Sequence, residues 1–315
     1  MLPMSKLKVL VIGGTGFIGS SLTKALVDSG YTAAVMGRKE AVSYPYHAEV
    51  PFIRADATRK GDWQQGIGNH DVIINLAGAS IFRRWNPRGK REILESRLLS
   101  AANIIAALKS GKGNIHRLVS VSGVGYYGFC GDEPATEEQR PGTDFLATVA
   151  AMWEDAINQA QETGVNVVIL RLGHVLGLGG GVLPKLLKLA RWHLAAPWGT
   201  GNQWFSWIHE KDLVRCIIFI IENNEISGSV NVTSPCPVRN QELMKMLAHT
   251  TGRKVWVKSI PEALLKLVAG EFASVFLNGQ RVVPDRLLGY GFQFDYVDLE
   301  HALNEFLKIE NPVRE

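Results

Sequence analysis

Gly13, Gly16 and Gly19 stand at three-residue spacing in the segment Val11-Ile12-Gly13-Gly14-Thr15-Gly16-Phe17-Ile18-Gly19. Gly13 allows a tight turn. Gly16 has no Cβ, so an anion can approach the backbone. Gly19 lets a following helix pack closely on the preceding strand. The free N–H groups and the dipole of a helix N-terminus favour negative charge. An apolar run precedes this segment, and the amphipathic stretch Ser20 to Asp28 follows it, stopped by Gly30. That context predicts a strand–turn–helix unit that captures a dinucleotide pyrophosphate, with Thr15, Phe17 and Ile18 beside the glycines in the binding turn.

The second apolar run ends in Val35-Met36-Gly37-Arg38-Lys39. A site selective for NAD usually carries an acid there, which accepts from the ribose hydroxyls. Here Gly37 is followed by two bases. Arg38, with Lys39 next to it, suits a bidentate contact to a 2′-phosphate, so NADP is expected in preference to NAD. A solvated basic pair in a loop is the competing reading. Leu76, Ala77 and Gly78 close the fourth strand, and small residues there let a cofactor pass near the strand end.

These groups must be held by a regular frame, and the hydrophobic pattern supplies one. Strand-like runs are predicted at Lys8–Ile12, Thr32–Met36, Val50–Arg54, Val72–Leu76, Arg117–Val121, Val165–Arg171 and Gly228–Val232. Helical stretches at Gly16–Ser29, Pro87–Lys109, Asp144–Gly164 and Glu210–Asn223 lie between them. Continuous apolar strands alternating with helices predict an α/β fold, a doubly wound parallel sheet of Rossmann type buried on both faces. Past residue 172 the pattern loosens. Gly173 to Gly181 is glycine-rich, and Trp192 to Trp207 holds four of the eight tryptophans. Short helices follow at Arg239–Thr250, Pro261–Gly270 and Leu299–Lys308. The expected division is a nucleotide-binding part over 1–172, its sheet completed by about 206–235, and a smaller, partly discontinuous C-terminal α/β cap over 173–315.

Composition sets bounds on partners. The 315 residues are 46% apolar and 20% charged, with a net charge of +4 and no basic run, so no nucleic-acid partner is expected. Cys130, Cys216 and Cys236 are widely spaced, which argues against a zinc site and for a reducing compartment. No apolar run reaches about 18 residues without a charge or a breaker, so no membrane span is expected. A cytoplasmic protein acting on a small molecule is the expectation, with self-association left open.

Taken with Arg84-Trp85, Ser96-Arg97, Gly125-Tyr126-Tyr127-Gly128, Trp153-Glu154, Arg171-Leu172-Gly173-His174-Val175-Leu176-Gly177, Gly199-Thr200-Gly201, Ser206-Trp207-Ile208-His209, Pro235-Cys236-Pro237-Val238-Arg239-Asn240 and Asn278-Gly279-Gln280-Arg281, the chain resembles the extended short-chain dehydrogenase/reductase superfamily. The similarity is to an atypical branch of it, the "epimerase family proteins", whose members end in a domain of unknown function. It covers nearly the whole chain. The resemblance implies a nicotinamide cofactor and, by the family label, sugar-nucleotide epimerisation. In that superfamily a tyrosine four residues before a lysine exchanges the proton, assisted by a serine or threonine after the fifth strand. Aligning Tyr127-Gly128 and Glu154 puts Gly123, Leu146 and Ala150 at those three positions, so the polar groups are missing here.

Other residues can take their place. The resemblance puts Tyr127 near the nicotinamide and substrate, with Tyr126 beside it; either can donate a proton, or simply pack and hydrogen-bond. Asp144 offers a carboxylate or a helix N-cap. His174 can donate or accept at pH 7, or bond only to backbone. His209 reads as a structural histidine before a helix. Arg97, on the long helix that lines the cofactor groove in relatives, can reach a cofactor phosphate or ribose, or pair with Glu92 or Glu95. Arg83-Arg84-Trp85 is an anion-binding loop or a charged loop with a half-buried tryptophan. Two functions follow: an NADP-dependent oxidoreductase or epimerase acting on a carbonyl or hydroxyl carbon, and a non-catalytic NADPH sensor or scaffold.

Overall fold

The computed structural model describes residues 7–38, 50–110 and 113–310. Seven parallel strands form the main sheet: β1 (Lys8–Ile12), β2 (Thr32–Gly37), β3 (Phe52–Arg54), β4 (Val72–Asn75), β5 (Arg117–Gly123), β6 (Asn166–Leu172) and β11 (Gly228–Val232). Their spatial order is β11-β6-β5-β4-β1-β2-β3. The order reverses between β1 and β4, so a crevice opens at the carboxyl ends of those two strands, where such sheets bind ligands.

Each central strand feeds two cores. In β1, Val9 and Val11 face one layer, with Leu22, Leu26, Leu213 and Ile217. Leu10 and Ile12 face the other, with Ile104, Trp153 and Ile157. The first layer is built on α1 (Phe17–Asp28) and α6 (Glu210–Glu222); the second on α2 (Trp63–Gly66), α3 (Pro87–Lys109) and α4 (Phe145–Asn158). Burial on both faces explains why the strands read as continuous apolar runs. Local chemistry sets the helix starts. Asn86 caps α3 by accepting from Gly89 N–H, with Pro87 in the first turn. Asp144 caps α4 through Leu146 and Ala147 N–H.

The remainder packs at the carboxyl edge of the sheet. Its strands are β7 (His174–Gly177), β8 (Gly180–Gly181), β9 (Trp204–Phe205), β10 (Trp207–His209) and β12 (Val238–Arg239), paired as a β10-β7-β8 sheet and a β12-β9 ribbon. Its helices are α5 (Leu183–Arg191), α7 (Asn240–Thr250), α8 (Glu262–Ala269), α9 (Ser274–Leu277), α10 (Asp285–Gly289) and α11 (Leu299–Glu310). Their own core gathers Leu186, Trp198, Trp207, Leu243, Leu303 and Phe306, except that α10 lies against β11 and puts Leu287 into the first layer's core. Where the sequence suggested only a glycine-rich loop after residue 172, β7 and β8 form a tight hairpin. No helix among the described residues is long and apolar enough to cross a membrane.

Candidate functional site

A cleft of about 390 Å³ lies at the switch point. Phe17 and Ile18 at the start of α1 line it, with Leu76, Ala77 and Gly78 after β4. The far wall comes from β5 and α4, through Ser122, Gly123, Leu146 and Ala150, and the cap closes it with Val275, Asn278 and Gln280.

Steric facts explain the glycine spacing. Gly13 has φ +82°, and a Cβ there would sit 3.1 Å from the Leu76 carbonyl carbon. A Cβ on Gly19 would meet the Gly14 Cα at 2.5 Å, so the helix packs directly on the turn. Gly16 is the exposed N-cap of α1 and offers no side-chain acceptor to the first N–H groups. Those donors are left for an anion. Thr15 packs on the end of β2, where a Cβ on Gly37 would fall 2.8 Å from its Oγ1.

Phe17 extends from the first turn of α1 into the β7–β8 hairpin. A Cβ on Gly180 would lie 2.7 Å from Phe17 Cβ and Cγ, and one on Gly177 would lie 2.6 Å from its Cζ. Gly179 and Gly181 border the same ring. The glycine-rich run is thus a cradle for one aromatic side chain at the start of α1.

Arg38 is exposed just past β2. Burial pushes the Asp56 carboxyl up, but hydrogen bonds from Thr58 and the charges of Arg38 and Arg59 outweigh it and hold it below its usual range. Lys39 lies outside the described residues.

Arg97 is enclosed in the cleft wall. Its Nη1 donates to the carbonyls of Ala79 (3.1 Å) and Ile93 (2.8 Å), and its guanidinium lies 5.0 Å from the Trp153 ring centre. Burial lowers its pKa to about 10, so it remains charged at neutral pH. Glu92 pairs instead with Arg83 and Arg88, and no carboxylate among the described residues pairs with Arg97. Gly78 lies against the guanidinium, where a Cβ would come within 3.3 Å of Cζ. Trp85 is buried against Phe145 and Phe272.

The two tyrosines sit differently from a substrate-facing pair. Neither lines the cleft. The Tyr127 hydroxyl donates to Asn231 Oδ1 at 2.6 Å and accepts from Arg171 Nη1 at 3.0 Å. Arg171 is held by Glu154 through Nε and Nη2, and Glu154 Oε1 also accepts from Ser122 Oγ at 2.7 Å. The Arg171 guanidinium lies 3.5 Å from the Tyr126 ring centre. Burial pushes the Tyr127 hydroxyl up to about 12 and raises that of Tyr126. This chain of buried groups ties β5, α4, β6 and β11 together behind the cleft. Trp153-Glu154 and Arg171 stood in the sequence, but nothing there joined residues 17 positions apart.

His174 does line the cleft, stacked on Phe205 with centroids 4.4 Å apart. Desolvation lowers its pKa to about 4, so the imidazole is neutral at pH 7. Asp144 also borders the cleft, with Oδ1 occupied by two helix N–H groups. His209 is buried away from it. Its Nδ1 accepts from Lys211 N–H, and its ring is sandwiched between Tyr296 and Phe306 at 3.7 and 4.4 Å. Three cap residues in the wall, Val275, Asn278 and Gln280, carry no local signal that ties them to the sheet edge; only the fold brings them there. Among the described residues no cluster of His, Cys, Asp and Glu could hold a metal ion.

The model of the NAD dependent epimerase/dehydratase family matches residues 9–233, and a domain of unknown function, DUF1731, matches 260–306. The chain is 33% identical over 306 residues to "Epimerase family protein SDR39U1 homolog, chloroplastic" of Arabidopsis thaliana, covering 96% of this chain and 88% of the relative. It is also 33% identical to "Epimerase family protein YfhF" of Bacillus subtilis, covering 96% and 98%. The crystal structure of human epimerase family protein SDR39U1 (isoform 2) with NADPH superposes with a TM-score of 0.85 at 31% identity, covering 96% of this chain and 99% of that one. The sheet order, the glycine turn at its switch point and these likenesses give one conclusion: the chain belongs to the NAD dependent epimerase/dehydratase family.

Proposed function

We propose that the cleft binds NADP(H) and that the protein moves a hydride between this cofactor and a carbonyl or hydroxyl carbon held under the cap. The observation that carries the reading is the continuity of the cleft. It runs from the α1 N-terminus, past Leu76-Ala77-Gly78 and Arg97, to Leu146, Ala150 and His174. The pyrophosphate fits the uncapped N–H groups of Phe17, Ile18 and Gly19, with Thr15 shaping the turn. Arg97 brings its unused guanidinium donors to a phosphate or ribose oxygen. Arg38, with Lys39 next to it in sequence, meets the 2′-phosphate. Thr15 supports NADP over NAD, because it fills the space that an acidic side chain at position 37 would need.

The bound cofactor supplies the hydride; the protein supplies position and proton management. His174 is the cleft-facing candidate for the proton, as a neutral imidazole that donates from one nitrogen and accepts at the other. Tyr127 and Tyr126 contribute by fixing Arg171 and the wall behind Ser122. A sensor reading is supported by a specific feature: Leu146 and Ala150 make apolar the wall where the superfamily's tyrosine and lysine are expected. Fluorescence titration with NADPH and NADH, followed by NADPH oxidation with a panel of carbonyl compounds, tests both. Tighter NADPH binding with turnover supports the oxidoreductase. Tight binding with no turnover across the panel leaves the sensor, and no binding of either cofactor ends both readings.

A further inference from the structure

We infer that the part of the cleft beyond the cofactor takes a small, neutral, largely apolar carbonyl or hydroxyl compound, and not a nucleoside-diphosphate sugar. This rests on the cofactor reading above and names the substrate class for the same site.

The chemistry of the wall carries the argument. Ile81, Phe82, Phe129, Leu146, Val149 and Val275 border the cleft on its α3, α4 and cap sides. Among the described lining residues Arg97 is the one cation and Asp144 the one carboxylate. Asp144 Oδ1 is taken by two N–H groups of the α4 N-terminus, and His174 is neutral. A diphosphate moved into such a wall loses its hydration and needs cations to replace it. Arg97 serves the cofactor in the proposed reading, and no second cation among the described residues lines the wall. Three cations close by have partners. Lys185 Nζ donates to the Gly181 carbonyl and lies 4.2 Å from the Phe82 ring centre; Lys90 pairs with Glu271, and Arg239 with Asp132.

The polar groups that remain suit a single neutral oxygen. Gln280 borders the cleft; its side-chain amide makes no hydrogen bond to the described residues, while its backbone carbonyl accepts from Ser206 Oγ at 2.8 Å. Asn278 uses one N–H on the Ser274 carbonyl, leaving its Oδ1. An amide donor, a neutral imidazole and an apolar surround match an uncharged ketone, aldehyde or alcohol with an aromatic or aliphatic body.

Calorimetry on the full chain, first saturated with NADP+, tests this. Benzaldehyde, acetophenone and cyclohexanone are titrated against UDP-glucose, since a ketone or aldehyde with the oxidised cofactor gives a complex that does not turn over. The expected result is binding of at least one neutral carbonyl compound with a Kd at or below about 1 mM, and no heat from UDP-glucose. Leu146→Arg puts a charge into the wall and should weaken the neutral ligand at least about tenfold. Val275→Lys makes the same test from the cap side if the first variant does not fold. UDP-glucose binding to the NADP-loaded protein overturns the inference. So does the absence of binding by every neutral compound, or neutral-ligand binding unchanged by the added charge. Failure to bind NADP+ in the first step is a different result, which overturns the cofactor reading and this inference with it.

Discussion

Thr15 Oγ1 lies 2.8 Å from the position a Cβ on Gly37 would take, and Thr15 Cγ2 lies 3.1 Å from it. Thr15 therefore crowds the end of β2, where a carboxylate would select NAD, so a side chain at position 37 requires the threonine to shift. Gly37→Asp alone should weaken NADPH by charge repulsion without creating an NADH site. Adding Thr15→Ala removes both crowding atoms, and the double variant should bind NADH more tightly than Gly37→Asp does. Titrations of the three proteins with both cofactors check this. Strong NADH binding by Gly37→Asp alone would refute the steric argument.

Arg38 tests the other half of cofactor choice. Arg38→Ala should cost NADPH about 1.5–3 kcal/mol, the range for hydrogen bonds to charged groups, and leave NADH nearly unchanged. Equal loss for both cofactors would mean that Arg38 does not read the 2′-phosphate.

Phe17 and Gly180 meet so closely that one methyl group should be felt. Gly180→Ala puts a Cβ 2.7 Å from Phe17 Cβ and Cγ, and its φ lies outside the left-handed region, so the effect is steric. Overpacking of this kind costs about 1–3 kcal/mol, and here the displaced ring belongs to the turn proposed to hold the pyrophosphate. The variant should melt earlier in urea and release NADPH faster in stopped flow. A loss of stability with an unchanged release rate would separate the hairpin from cofactor binding.

In the proposed reading Tyr127 holds the wall and does not transfer a proton. Tyr127→Phe leaves Asn231 Oδ1 and Arg171 Nη1 each short of one partner, at a cost of about 1–3 kcal/mol. Glu154→Gln removes the carboxylate facing a guanidinium whose side chain is 5% exposed, and should cost about 3–5 kcal/mol. Both variants, where folded, should keep NADPH affinity. If Tyr127→Phe is as stable as the parent yet abolishes turnover, the proton-donor role returns to Tyr127.

Much of this frame was legible because it is local. The alternating apolar runs named the seven strands of the main sheet, with ends within two residues, and Gly13, Gly16 and Gly19 marked the turn. The hairpin β7–β8 was not legible, since four-residue and two-residue strands have no period and glycine gives no pattern. The destination of Tyr127 was also hidden. Its partners Arg171 and Asn231 come from β6 and β11, and only the order β11-β6-β5 sets them beside it. For the same reason Asp144 is readable as a cap from its neighbours, whereas Gln280 reaches the cleft wall from a segment with no sequence link to β5.

His174 and His209 make acid sensitivity part of the fold. Desolvation lowers each pKa from 6.5 to about 4, so both are neutral when folded and take up protons more readily when unfolded. Between pH 6.5 and 4 the unfolded chain binds more protons at these sites, and stability rises with pH. Their contribution is fully present above pH 6.5 and is lost as pH falls towards 4. His209→Asn keeps an N-cap acceptor for Lys211 N–H, and His174→Gln keeps a polar group at the cleft; neither new side chain titrates. Urea midpoints measured across this range should fall less steeply for each variant than for the parent. Parallel slopes in all three proteins would mean that neither imidazole is held neutral by burial.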